Sequence, residues 1–390
     1  MASRPRSITV SFVLGIGAVT AAAHMGNNFT TYLIGGLMDR FGFTPVQMGA
    51  WSMAETLAYA AAMFLIAPRV ASLSPRLLMV GAGALVAAVQ LWSAALTSYP
   101  PLFIGRIATG IGFGLANTAL NLAAGRGEHP ARAISVGIAV QTLFYALINI
   151  GLPLIGARFG VAGMFAALAA LSAFFTLAAG WLPAGPGSGS SHGLPAVTPR
   201  PALGTDGWRV LTAMALFTFG SLAIWPFMER AAHAINIPAV AFGRYQSAAT
   251  LLSAVGNLAL AAVIARLRLI VPLSLALITC AVACAALTTV SSGAAFALAL
   301  ITFNVSWFIS YPLLLGIAYS VDHTGRLAVL SSAAWLLMMS LGSLATGVLA
   351  QSLGGYKPVG PLGMVICIAA VATIWPLARR LDTSKRSPQS

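Results

Sequence analysis

Charge is scarce in this sequence: Asp and Glu together number 7 and Lys and Arg 21 in 390 residues, 7% of the chain. An ordinary soluble domain carries about a quarter charged residues, so that class is excluded. Lysine occurs only as Lys357 and Lys385, both outside the long apolar runs, which removes a Schiff-base retinal protein. Among five histidines only His24 lies deep in a run, too few for paired haem ligands. The three cysteines, Cys280, Cys284 and Cys367, all fall inside apolar runs; without a second pair or a loop thiol they read as packing residues, and no metal site is expected. No Gly-x-x-x-x-Gly-Lys loop is present, so ATP is not the direct energy source, and no cofactor is expected. No Ser/His/Asp constellation stands out, and the chain is not read as an enzyme.

Apolar residues are abundant instead, at 59% with a mean hydropathy of +0.90, which makes the chain an integral membrane protein. The formal charge of +14 does not point to nucleic acid, because the basic residues punctuate the ends of apolar runs and form no stripe with aromatics. Twelve runs have the length of a membrane span: residues 10–37, 46–67, 76–97, 101–125, 132–157, 160–182, 208–232, 242–265, 270–290, 293–320, 327–350 and 360–380. The first imitates a cleavable leader through Arg4, Arg6 and Ala21-Ala22-Ala23, but it continues to Leu37 and is kept as a span. The expectation is an all-α membrane protein of twelve helices in two six-helix bundles, residues 1–183 and 208–390, joined by a Gly/Ser/Pro-rich cytoplasmic linker, 184–207.

With both termini cytoplasmic, fifteen Lys and Arg lie inside and five outside, Arg106 being left in the membrane. The inside set includes Arg4, Arg6, Arg69, Arg76, Arg126, Arg132 and Arg200; Arg40, Arg158 and Arg230 are among those outside. The halves also repeat at an offset of 194 residues: Phe43–Trp51 overlays Ile237–Tyr245, Arg132 falls on Arg326 and Gly160 on Gly354. This is the pattern of two halves duplicated in parallel.

Arg106 is the residue around which a function can be read. A guanidinium at bilayer depth costs roughly 3 kcal/mol on insertion scales and must meet water or a partner. At about 100° per residue Arg106, Gly110, Phe113, Asn117 and Asn121 share one helix face. The first run aligns His24, Asn27, Asn28 and Thr31; the second Trp51, Glu55 and Tyr59; the fifth Gln141, Tyr145 and Asn149. The eighth aligns Gln246, Thr250, Ser253 and Asn257, and the tenth Asn304, Trp307 and Tyr311, whereas the sixth, ninth and twelfth carry almost nothing polar. Polar stripes can merely tie helices together, but this period of three in both halves favours a water-lined interior. Glu55 is the one carboxylate far from either surface and the expected counter-ion of Arg106. Gly110 and Gly114 leave room there for a close helix or a ligand.

The string Arg106-Ile-Ala-Thr-Gly110-Ile-Gly112-Phe-Gly114 resembles the arginine-and-glycine motif in the fourth helix of the major facilitator superfamily, and the resemblance extends over the whole chain. Gly151-Leu-Pro153 with Gly156 is similar to a reduced form of the glycine-proline motif of its proton-coupled exporters. The loop from Pro68 to Arg76 lacks the family's aspartate and glycines, and Asp39-Arg40-Phe41-Gly42 carries part of that motif at an outside position. The resemblance implies six plus six helices around a cavity lined by the first, fourth, seventh and tenth, which would include Trp225. It implies transport of a small organic solute by alternating access. The expected proton-coupling groups are Glu55, His24 and Arg106. Expected substrate contacts are Asn27, Asn28, Arg106, Asn117, Asn121, Gln141, Tyr145, Trp225, Asn257, Asn304, Trp307 and Tyr311. The protein is expected to work as a monomer in a bacterial inner membrane, with protons, solute and lipid as its partners. Uncoupled facilitation, sodium coupling and a non-transporting sensor on the same fold are the competing readings.

Overall fold

A computed structural model describes residues 10–124, 130–182, 203–263, 269–322 and 326–384. Linker residues 184–202, and the charges at Arg4, Arg6, Arg126, Arg200, Arg266, Arg268, Lys385 and Arg386, lie outside that set. All regular structure among the described residues is helical. In hydrocarbon every backbone N–H and C=O needs a partner in the protein, and a helix supplies one within its own segment. The helices are α1 (Val10–Phe41), α2 (Pro45–Ile66), α3 (Pro75–Ala94), α4 (Tyr99–Ala124), α5 (Pro130–Leu177) and α6 (Thr205–Leu222). They continue with α7 (Met228–His233), α8 (Ala239–Val263), α9 (Ile270–Thr289), α10 (Gly293–Val321), α11 (Arg326–Ser352) and α12 (Val359–Ser384).

Two elements differ from the runs read in the sequence. The fifth and sixth runs form the 48-residue α5, which contains two helices meeting at Gly160 (φ 66°, ψ −166°). On a straight helix Gly156 and Met164 would stand about 12 Å apart. Instead, a Cβ placed on Gly156 would come within 2.8 Å of Met164 Sδ, and the Phe144 and Phe175 rings meet at 5.2 Å, so the second arm folds back on the first. The seventh run is broken: α6 ends at Leu222, a 3₁₀ turn covers Trp225–Phe227, and α7 follows. Pro226 explains the break, since it lacks an N–H and its ring collides with the carbonyl four residues earlier. Nine helical segments among the described residues are long and apolar enough to cross a bilayer, one of them the doubled Gly137–Trp181. Large apolar side chains on their outer faces, such as Leu77, Leu147 and Leu258, are about 70% exposed, a surface that suits lipid and not water.

The chain falls into two compact units, Met1–Phe43 with Ala54–Pro201 and Thr44–Met53 with Ala202–Ser390. In the first, α1 packs on α5 and α4, and α3 on α4 and α5; in the second, α6 packs on α12, α11 and α10, and α9 on α12 and α10. The 194-residue register reappears in the backbone. Gly42 (φ 65°) and Asn236 (φ 63°) are 194 apart, as are Gly160 (φ 66°) and Gly354 (φ 69°), and α2 and α8, like α4 and α10, begin 194 apart. Left-handed φ is uncommon outside glycine, so its recurrence at matched positions marks equivalent turns. Each unit also ties the start of one helix, α3 or α9, to a residue near the end of its last span, Leu182 or Asp382. In the first, Arg76 donates through Nε (3.2 Å) and Nη2 (2.9 Å) to Leu182 O. In the second, the Asp382 carboxylate accepts from Leu269 N (2.8 Å) and Ile270 N (2.9 Å) at the start of α9.

Candidate functional site

The first unit contains a charged centre. Arg106 on α4 and Glu55 on α2 form an ion pair of 2.7 Å, each side chain 2% exposed. Arg106 Nη2 also donates to Thr30 Oγ1 on α1, and that hydroxyl donates to Gly26 O at 2.7 Å. Thr109 Oγ1, one turn beyond Arg106, lies 3.3 Å from Glu55 Oε2 and 2.9 Å from Arg106 O. Three helices therefore converge on one buried pair.

Glycine makes the convergence possible. A Cβ on Gly110 would stand 2.4 Å from Glu55 O, one on Gly114 2.4 Å from Tyr59 O, and one on Gly26 2.6 Å from Glu55 Oε1. These separations are below any real Cβ contact, so α4 lies against α2 at glycine width. The space at Gly110 and Gly114 is taken up by a helix backbone.

A second polar group lies on α1, α2, α4 and α5. His24 Nδ1 is 2.8 Å from Gln141 Oε1, so the tautomer with its proton on Nδ1 makes the bond. Asn117 lies beside His24 and Tyr59, and its Nδ2 is 3.3 Å from Met63 Sδ. Asn27 is half-buried on α1, and Asn28 Nδ2 donates to His24 O at 2.8 Å. Tyr145 is buried with its hydroxyl donating to Ala21 O at 2.7 Å, which makes it a tie between α5 and α1. Asn121 is exposed, two turns or more from the pair.

In the second unit the corresponding region is aromatic. Trp307 and Tyr311 on α10 stack with centroids 5.4 Å apart and planes 7° apart. Phe217 on α6 and Trp335 on α11 each approach Trp307 at 6.5 Å, and Trp335 meets Tyr311 at 5.5 Å. Tyr311 Oη is 3.4 Å from Ser332 Oγ. Trp307 Nε1, Trp335 Nε1 and Thr218 Oγ1 are buried without a hydrogen-bond partner among the described residues. Asn304 Nδ2 donates to Leu300 O at 2.9 Å, and its Oδ1 accepts from Gln246 Nε2 at 3.4 Å. Asn257 turns back to its own helix, donating to Ser253 O at 3.2 Å. Trp225 is half-buried in the 3₁₀ turn.

Sequence reasoning did not single out Thr30, Thr109, Phe217, Thr218 or Trp335. The 194-residue offset could have found two of them, since it carries His24 to 218 and Gln141 to 335. No group of three or more His, Cys, Asp or Glu among the described residues is placed to hold a metal ion. The cysteines are buried as packing thiols, with Cys284 Sγ 3.5 Å from Gly220 O and Cys367 Sγ 3.7 Å from Phe217 O.

Comparison with known proteins agrees with this architecture. No curated protein sequence matches the chain. Solved structures do. A bacterial homologue of the human lysosomal transporter Spinster, inward-facing and occupied, superposes with a TM-score of 0.76 at 12% identity, covering 97% of this chain and 98% of its own. The nucleoside transporter NupG gives 0.72 at 13%, covering 94% and 100%. The inward-open xylose transporter XylE from E. coli gives 0.72 at 13%, covering 94% and 95%. At such identities the likeness is one of fold. The family model for the Major Facilitator Superfamily matches residues 16–346, most of the chain and both polar centres, and this multi-pass membrane protein belongs to that superfamily.

Proposed function

We propose that the protein is a proton-coupled secondary transporter of a small organic solute, working by alternating access. The observation that carries the reading is the Arg106–Glu55 pair, at 2.7 Å and almost wholly buried. Two charges removed from water gain little net stability from each other, whereas a lone buried charge is strongly unfavourable. A proton arriving at Glu55 cancels its half of the pair and frees the Arg106 fork for another acceptor, an anionic or polar group of the solute included. A proton leaving restores the pair. Loading is thereby coupled to the arginine's partner, and Thr30 and Thr109 hold both side chains in place meanwhile. His24, bonded to Gln141, is the second group able to carry a proton on the same helices.

The organisation that goes with this reading is two six-helix bundles, residues 1–183 and 208–390, with the linker and both termini cytoplasmic. The protein would act as a monomer in a bacterial inner membrane. Among the similar structures are a nucleoside transporter and a D-xylose-proton symporter, which supports a small organic solute and a proton without choosing the solute. The test uses proteoliposomes holding the full chain. A solute that raises the melting temperature of the purified protein should accumulate against its gradient when the outside is made acid, and a protonophore should abolish that accumulation. Accumulation indifferent to the protonophore would favour a sodium-coupled carrier, and equilibration without accumulation would favour a facilitator.

A further inference from the structure

A groove of about 510 Å³ runs along the first unit between α2 and α4, away from the charged centre. Its origin is the glycine-width seam. A Cβ on Gly110 would meet Ala58 Cβ at 3.0 Å and one on Gly114 would meet Ala62 Cβ at 3.0 Å, so the two helices touch through small residues. A seam this shallow leaves a trough above it, walled by Leu65 and Ile66 on α2 and by Ile107, Ile111 and Leu115 on α4. At about 100° per residue Arg106, Phe113 and Asn117 take one side of α4, and Gly105 and Gly112 take the side that packs on α3. Ile111 and Leu115 fall between Gly110 and that second side, so the trough opens outwards and not into the polar interior. Leu65 on its wall is 69% exposed.

The trough ends in a cation. Arg69, in the 3₁₀ turn Ala67–Ser72 that follows α2, is the one charged residue of the lining and is exposed. Between Glu55 and Glu128 the sequence holds no Asp or Glu, so the stretch that builds the groove offers Arg69 no acid. From Ala58 to Ile66 the wall covers about 12 Å at 1.5 Å per residue, most of the roughly 15 Å of hydrocarbon in one leaflet, and Arg69 lies a turn beyond, at headgroup depth. Water fills such a space poorly, because it needs polar partners and the trough has none before Arg69. We propose that the groove holds one acyl chain of an anionic phospholipid, with the headgroup phosphate on Arg69. A guanidinium forks onto two phosphate oxygens, and an anionic lipid brings no cation of its own to offset that attraction. The bound chain covers Ala58 and Ala62 and braces α2 against α4 beside the Glu55–Arg106 pair, so occupancy stabilises the fold. None of this depends on the transport reading.

The experiment strips lipid from the purified full-length protein in detergent and returns dioleoyl phosphatidylglycerol, dioleoyl phosphatidylcholine or glycerol 3-phosphate. Native mass spectrometry gives the number bound and the Kd, and the melting temperature reports stabilisation. Phosphatidylglycerol should bind more tightly than phosphatidylcholine and raise the melting temperature further, with an advantage that shrinks as salt is added. Arg69→Gln should weaken phosphatidylglycerol about fivefold and leave phosphatidylcholine unchanged. Ala61→Phe, which fills the trough from an exposed position, should weaken both lipids. Arg379→Gln, at an exposed arginine near the end of α12, should change neither. Equal affinity for the two lipids in the wild type overturns the proposal, and so does glycerol 3-phosphate binding as tightly as phosphatidylglycerol, which would make Arg69 an anion site without a chain. Phosphatidylglycerol binding that is unchanged in Arg69→Gln, or lowered as far by Arg379→Gln, overturns it as well. A dimer that Ala61→Phe dissociates would give the groove to a second copy of the chain and overturn it too. If Ala61→Phe fails to fold, the wild-type lipids and Arg69→Gln still decide.

Discussion

At equivalent positions the two units hold different chemistry. Arg106 corresponds to Leu300, Glu55 to Ala249 and Thr109 to Phe303, so the charged centre of the first unit has an apolar counterpart in the second. Conversely Asn117 becomes Tyr311 and Gln141 becomes Trp335. The shared 194-residue register supplies matching positions, which hold charge in one unit and rings in the other. At the helix ends both units use a charge, but of opposite sign: an arginine grips a carbonyl in one and an aspartate grips two amides in the other. Both ties secure the start of the matching helix, α3 or α9, with a different chemistry.

The largest test of this contrast removes a charge. Arg106→Ala strands Glu55 in a buried site and should lower stability by about 3–5 kcal/mol, with Glu55→Gln in the same chain recovering a large part of the loss. Melting in detergent reports both. Leu300→Ala, at the equivalent position, should cost about 2–5 kcal/mol as a cavity, and adding Ala249→Gln should give no recovery. If the second double variant recovered as the first does, charge would not be what distinguishes the units. Gly110→Ala forces a Cβ towards Glu55 O and should cost about 1–3 kcal/mol, visible as a lower melting temperature and slower transport. Asp382→Ala leaves two amides at the start of α9 uncapped, and about 1 kcal/mol is expected by the same measurement.

Much of the helical frame was legible because a bilayer imposes it: apolar length follows from the solvent, with no tertiary information. The pairing of Glu55 with Arg106 was legible for the same reason, since a buried guanidinium requires an acid and the first half offers one deep carboxylate. The break near Trp225 was written in Pro226, yet hydropathy is blind to a missing N–H and the run read as continuous. Thr30 and Thr109 escaped notice because hydroxyls in apolar helices usually bond their own backbone, as Thr20 and Thr118 do here. His24 and Gln141 each stood out, but their contact spans 117 residues and no local pattern announces it. Trp335 escaped because a lone tryptophan in an apolar run reads as lipid-facing; only its partners on α6 and α10 give it a role. The glycines at 110 and 114 read equally as room for a helix or a ligand, and backbone proximity decided between them.

The central claim is that Glu55 loads the coupling proton. The direct measurement compares wild type and Glu55→Gln in proteoliposomes, using a solute first found by its stabilisation of the protein, under an imposed proton gradient and then in counterflow exchange without one. The account predicts that gradient-driven accumulation disappears in Glu55→Gln while exchange persists, because the side chain keeps its shape and loses its proton. Accumulation at the wild-type level in that variant would contradict it.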